Sequence, residues 1–174
     1  MERSLFCQSR PHLTYPFLGG YTLINSQRVI DWMNAANVTH GEVRMKIKLA
    51  SVYVDDQEKA LRFYTEVLGL TKKADFSNGP YRWLTVTSPE EPEGTELQLA
   101  LDDNPAAKAY QQAIFKQGQP AVMFFTDDVK RDYERIRARG AEFTQPPTEA
   151  TGSTIAQLND ACGNLVQITQ LARW

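Results

Sequence analysis

The chain has 174 residues, with 19 Lys and Arg against 21 Asp and Glu, a formal net charge of −2 and 23% charged residues. That length supports one domain with its own hydrophobic core, and the charge balance supplies no basic face for nucleic acid. The spacing of the two cysteines, Cys7 and Cys162, suggests neither a zinc motif nor a disulfide framework, which predicts a reducing, cytoplasmic setting; no apolar run reaches a membrane span.

Residues 1–44 differ in texture from the rest. They mix Pro, Gly, Asn and Ser with scattered aromatics, and only Ser26 to Asn37 has weak helical character. Arg3 and Arg10 precede an apolar stretch broken by Pro16 and Gly19-Gly20, a poor pattern for a signal peptide. The segment reads either as an accessory arm packing on the domain or on a dimer partner, or as upstream sequence translated from an early start. The composition favours the second.

From Met45 the signals sharpen. Ile47 to Val54 alternates and is rich in β-formers. Asp55-Asp56, with Glu58 three residues after Asp55, predicts a helix whose first free N–H groups are capped by a carboxylate. Ala60, Phe63, Tyr64, Val67 and Leu68 follow at helical spacing, and Gly69 falls where a left-handed C-cap belongs. Strands are predicted over Leu70 to Phe76, Tyr81 to Thr87 and Thr95 to Leu101, the first two joined through Asn78-Gly79. A connecting helix is predicted over Pro105 to Lys116. Then the order restarts: strand Ala121 to Thr126, cap Asp127-Asp128, helical stripe Val129, Tyr133, Ile136, closing Gly140, and short strands near Glu142-Phe143, Thr154 to Leu158 and Leu165 to Thr169.

A shift of 72 residues lays Val54-Asp55-Asp56 over Thr126-Asp127-Asp128, and a shift of 69 lays Gln98-Leu99 over Gln167-Ile168. An internal duplication accounts for both order and spacing. The expected domain is 45–174, with modules of about 45–102 and 120–174.

The unit of one strand, a capped helix and three strands, together with Val52-Tyr53-Val54-Asp55-Asp56, Lys59-Ala60-Leu61-Arg62-Phe63-Tyr64, Val67-Leu68-Gly69-Leu70, Arg139-Gly140-Ala141-Glu142-Phe143 and Gly163-Asn164-Leu165-Val166-Gln167-Ile168, resembles the vicinal oxygen chelate superfamily of glyoxalases, bleomycin-resistance proteins and dioxygenases. Ala161 departs from it, since the turn before the last strand usually carries proline. The resemblance implies an α+β fold: two βαβββ modules forming a curved mixed sheet around a cavity, with helices on the outer face. It also implies that a metal, where there is one, is held from the first and fourth strands of each module. On this chain those positions are Leu49, Gln98, Ala121 and Gln167: two hydrocarbons and two neutral amides. Divalent ions want His, Asp, Glu or Cys donors. The only histidines, His12 and His40, lie in the first segment, and Glu96 alone makes no chelating set. The expectation is therefore no metal and no cofactor.

Strand parity then predicts the cavity face: Leu49, Ser51, Tyr53; Tyr81, Trp83, Thr85; Glu96, Gln98, Ala100; Ala121, Met123, Phe125; Leu165, Gln167, Thr169. The opposite parity, including Val52, Val54, Leu84, Leu97, Leu99, Leu101, Val122, Phe124, Val166 and Ile168, is apolar and packs under the helices. Candidate ligand residues are Tyr53, Trp83, Glu96, Gln98, Met123, Phe125 and Gln167. A carboxylate among aromatics suits a cationic or aromatic organic ligand. Structural alternatives stand beside this: the aromatics fill a collapsed core, the two glutamines hydrogen-bond each other or water, Glu96 is merely solvated, and the charges from Arg131 to Arg139 form a solvated helix face. The leading function is metal-free binding of a small molecule by a homodimer. The alternatives are a metal-dependent lyase, isomerase or dioxygenase recruiting its ion through Glu96, and a non-catalytic dimeric interaction module.

Overall fold

The computed structural model describes residues 45–172; the helix expected over Ser26 to Asn37 lies outside them. Two four-stranded mixed sheets carry the fold. Sheet one holds β1 (Leu49–Val54), β2 (Thr71–Asn78), β3 (Tyr81–Thr87) and β4 (Glu96–Leu101) in the order β1-β4-β3-β2. Sheet two holds β5 (Pro120–Phe125), β6 (Phe143–Ala150), β7 (Ser153–Asn159) and β8 (Leu165–Leu171) in the order β5-β8-β7-β6. In each, the first strand runs parallel to the fourth and the rest are antiparallel.

The ladders repeat with the predicted offsets. Ser51 opposite Gln98 recurs as Met123 opposite Gln167, Val52 opposite Leu99 as Phe124 opposite Ile168, and Thr85 opposite Gln98 as Gln157 opposite Gln167. The duplication read from strand and cap signals therefore holds at the level of residue pairing.

Helix α1 (Gln57–Arg62) begins at Asp56, whose carboxylate accepts from the Glu58 and Lys59 N–H groups at 2.8 and 3.0 Å; Asp55 instead pairs with Lys59 at 3.7 Å. The cap is thus one residue later than a capping box on Asp55 requires. The helix runs on as a π-helix over Phe63–Val67, widened where the fully buried Tyr64 ring enters the core. Gly69, at φ +94°, ends it in the left-handed conformation that glycine adopts without strain. The Phe63-Tyr64…Leu68-Gly69 signature is therefore a structural device. The connecting helix α2 spans Pro105–Lys116, capped by Asn104, and α3 spans Val129–Ala138, capped by Asp128.

The core is the apolar parity of both sheets: Val52, Val54, Leu84, Val86, Leu97, Leu99, Val166 and Ile168 are buried, with Val122 and Phe124 packed against them. Leu101 departs from expectation, being 37% exposed at the end of β4. The short strand near Glu142-Phe143 is in fact the eight-residue β6, with Pro146 and Pro147 inside it. Its place at the sheet edge and the register shifts around those prolines make this possible, because an edge strand can lack N–H donors.

The modules join through side chains that meet backbone. Arg135 donates to Leu68 O at 3.1 Å and Arg139 to Glu66 O and Val67 O at 3.0 and 3.2 Å, placing cations on the open carbonyls at the end of α1. Arg135 is half-buried by this contact, whereas Arg139, though engaged, stays exposed with Arg131 and Arg137 on the solvated face expected of this helix. Below, Asp160 Oδ1 accepts from the Cys162 and Asn164 N–H groups, and its Oδ2 accepts from Asn164 Nδ2 and, at 3.3 Å, from the Tyr64 hydroxyl. Burial pushes the Tyr64 hydroxyl well above its ordinary pKa, with Asp160 adding to the effect. Ala161, in this turn, sits at φ +60°, a conformation that a proline ring excludes; that is the physical side of the departure noted at this position.

Candidate functional site

Register and parity place the expected residues on the sheet faces away from the core, but on two different sheets. Tyr53, Trp83, Glu96 and Gln98 belong to sheet one; Met123, Phe125 and Gln167 belong to sheet two. Strand β1 positions Tyr53, whose carbonyl accepts from Gln111 Nε2 at 2.7 Å and Asn164 Nδ2 at 2.8 Å. The end of this edge strand is thereby fixed.

Sheet one's open face is aromatic. Tyr53 is 37% exposed and Tyr81 53%, and the half-buried Trp83 stacks on Phe76 with centroids 6.2 Å apart and planes 15° from parallel. Phe76 was missing from the candidates. The signal for it lay in the hairpin: once Asn78 faces Tyr81 across Gly79-Pro80, counting back two residues on each strand sets Phe76 against Trp83. Polar groups thread between the rings. Ser51 Oγ donates to Gln98 Oε1 at 2.9 Å, and Gln98 Nε2 donates to the Tyr81 hydroxyl oxygen at 3.0 Å. Thr85, fully buried, donates to Glu96 Oε2 at 2.7 Å and accepts from the Ala74 N–H at 3.2 Å, beside the bulge in β2.

Sheet two's open face is plainer. Met123 and Phe125, 51% and 65% exposed, stand where sheet one has Ser51 and Tyr53. Gln167 Nε2 donates to Thr169 Oγ1 at 3.0 Å and lies 3.8 Å from Met123 Sδ, and Gln157 Nε2 reaches Gln167 Oε1 at 3.5 Å. Each of these bonds stays within its own sheet. The two glutamines do not pair with each other; Tyr53 and Phe125 are exposed rather than core filling, while Trp83 is half-buried against Phe76. Leu165 and Thr169, of the same parity, are buried rather than lining.

A cleft of about 1020 Å³ lies between the modules, and it is not the face that parity predicted. It takes in Glu96, Met123 and Phe125 but also the core-facing Val122 and Phe124, with Arg131 and Arg135 on its wall; Tyr53, Trp83, Gln98 and Gln167 are outside it.

The residues at the superfamily's metal positions do not fit a divalent ion. Leu49 and Ala121 carry no donor atom, and the amides of Gln98 and Gln167 are neutral and already engaged with Ser51, Tyr81 and Thr169. Among the described residues no three His, Cys, Asp or Glu side chains gather as a chelating group. Cys162 is buried, which, with Asp160 nearby, pushes its thiol up to about 12, so it is protonated at neutral pH and offers no thiolate. No helix among the described residues is long and apolar enough to cross a membrane.

Comparison with known proteins agrees with this architecture. Residues 46–168 match the family model described as the Glyoxalase/Bleomycin resistance protein/Dioxygenase superfamily. The uncharacterized protein YurT of Bacillus subtilis (strain 168) is 48% identical over 126 residues, covering 72% of this chain and 99% of YurT. Among solved structures, UcmS2 is 30% identical with a TM-score of 0.64, covering 72% of this chain and 98% of UcmS2. TnmS3, an antibiotic binding protein from Streptomyces sp. CB03234, is 29% identical with a TM-score of 0.60, covering 74% of this chain and 98% of its own. With a duplicated βαβββ ladder, the π-widened first helix and these matches together, the chain belongs to the glyoxalase/bleomycin resistance protein/dioxygenase superfamily.

Proposed function

We propose that this protein binds a small organic molecule, aromatic and carrying a cationic or hydrogen-bond-donating group, and holds it without a metal and without altering it. The observation that carries this reading is the row of rings on sheet one, exposed Tyr53, Phe76 and Tyr81 with half-buried Trp83, on the same strand parity as the carboxylate of Glu96 further along β4. Ring faces attract flat ligands and cations, and a cluster of exposed aromatics costs solvation free energy until something covers it. The likeness to TnmS3, described as an antibiotic binding protein, supports binding of a small molecule.

The cover on the far side of the ligand is the Met123, Phe125 and Gln167 face of a second copy. The hydrogen bonds of each open face remain within one sheet, and sheet one and sheet two share no ladder inside the chain. In the proposed homodimer each cup pairs sheet one of one copy with sheet two of its partner. Methionine supplies an adaptable apolar wall, and the open glutamine contributes a polar edge.

A thermal-shift series with 9-aminoacridine, acridine, naphthalene and a non-aromatic amine tests the reading. A ligand at about a hundred times its Kd stabilises the folded state by about 2.7 kcal/mol, a rise of several degrees. We expect that rise for the aromatic cation and a smaller one for the neutral rings. An unchanged melting temperature with every compound at saturating concentration would count against ligand binding.

A further inference from the structure

The hydrogen-bond chain on sheet one has a direction, and the direction specifies what the ligand must offer. Gln98 is 8% exposed, and its amide is used at both ends. Its Oε1 accepts from Ser51 Oγ at 2.9 Å, so its Nε2 is the end that faces Tyr81 and donates to the phenol oxygen at 3.0 Å. An amide nitrogen can only donate, so the Tyr81 oxygen is acting as an acceptor and its proton is left over. Tyr81 is 53% exposed on the open face, and an oxygen that accepts from Gln98 must direct its own proton elsewhere. The second chain is polarised the other way. Thr85 Oγ1 accepts from the Ala74 N–H and gives its own proton to Glu96 Oε2, leaving the remaining Glu96 oxygen as an anionic acceptor. The face therefore presents a donor at Tyr81, two residues from Trp83 and its stack on Phe76, and an acceptor at Glu96 further along β4.

From this we infer that Tyr81 is a specificity-determining residue that donates to a carbonyl-type acceptor on an aromatic ring of the ligand. The inference rests on the binding function proposed above and narrows it. A flat ring system with an acceptor oxygen satisfies the Tyr81 proton; one without it leaves the hydroxyl desolvated and unpaired when the cup closes, and a site built to hydrogen-bond a group discriminates strongly against its absence.

The probe pair is xanthone and xanthene, tricyclic molecules of nearly equal size that differ in a carbonyl against a methylene. Their Kd values are measured by calorimetry on the full-length wild type and on Tyr81→Phe, which keeps the ring and loses only the hydroxyl. Expected is a preference of about tenfold or more for xanthone in the wild type. In Tyr81→Phe that preference falls to near unity through weaker xanthone binding, with xanthene unchanged. A Ser51→Ala variant, which frees Gln98 to turn its amide, should reduce the preference without abolishing binding. Equal affinities in the wild type, or a preference surviving in Tyr81→Phe, overturn this assignment alone. Binding of neither compound by protein that does bind 9-aminoacridine overturns this assignment alone, whereas failure of 9-aminoacridine as well overturns the function it rests on.

Discussion

Asp160 to alanine is the substitution whose cost the structure specifies best. The side chain is fully buried, and its Oδ1 accepts from the Cys162 N–H at 2.7 Å and the Asn164 N–H at 2.9 Å. Alanine strips the acceptor from both. A buried donor without a partner costs about 1–3 kcal/mol. Asn164 Nδ2 loses its 2.7 Å bond to Oδ2 but keeps Tyr53 O at 2.8 Å, and the 3.3 Å bond from Tyr64 contributes little. Removing a buried carboxylate returns part of the loss, leaving a net destabilisation of about 3 kcal/mol. Asp160→Asn keeps one oxygen for the two N–H groups but sets its amide nitrogen against Asn164 Nδ2, and should cost about 1–2 kcal/mol, less than alanine. Urea unfolding at neutral pH, with the dependence on urea checked for constancy, measures both. Burial raises the Asp160 pKa, its largest influence, against four donors that lower it. For a carboxyl raised on folding, the associated stability is complete at low pH and declines as pH climbs through the folded-state pKa. Wild type should therefore lose stability relative to Asp160→Asn over that rise. An Asp160→Ala variant within 0.5 kcal/mol (about the experimental error) of wild type, or Asp160→Asn as costly as alanine, refutes the reasoning.

Subunit mixing tests the shared cup. Trp83→Ala and Phe125→Ala should each abolish binding of 9-aminoacridine as pure proteins, whereas a refolded mixture should recover binding, because the heterodimer holds one cup with both walls intact; no recovery places both walls in one chain. The Asp75–Arg82 pair supplies a pH dependence of opposite sign. Hydrogen bonds from Arg82 at 2.8 and 2.9 Å, aided by Lys72, hold the Asp75 carboxyl at about 2, so its contribution is complete above the ordinary carboxylate range and is lost as pH falls toward 2. Solvent screening reduces this to about 1 kcal/mol. Arg82→Leu should remove about that much at pH 7 and little at pH 2, read from urea midpoints; equal losses at both pH values would mean that packing, not charge, is what was removed.

Much of the fold was legible because it rests on local rules that tertiary packing did not override. The alternation Val52, Val54 and Leu97, Leu99 could bury only one face, and Gly69 marked a helix end where a side chain would be strained. The 72- and 69-residue offsets carried through to individual ladder pairs such as Gln157 opposite Gln167. What escaped was non-local. Pro146 and Pro147 argue against a strand until β6 is known to be an edge. The carbonyl contacts of Arg135 and Arg139 cannot be read until α1 is known to end beside them. Parity assigned the candidate residues to a sheet face, but it could not give their distribution over two separate sheets, nor the burial of Leu165 and Thr169, since it does not say which sheets confront each other. Phe76 was within reach through the hairpin pairing that set Asn78 against Tyr81.

The most direct test of the account is a calorimetric titration of 9-aminoacridine into protein stripped with a strong chelator, repeated after adding manganese or zinc. On the proposed reading Leu49, Gln98, Ala121 and Gln167 give an ion no workable donor set and the rings of sheet one do the binding, so the affinity should be the same in both titrations and be lost in Trp83→Ala. Binding that appears only with the added metal would contradict it.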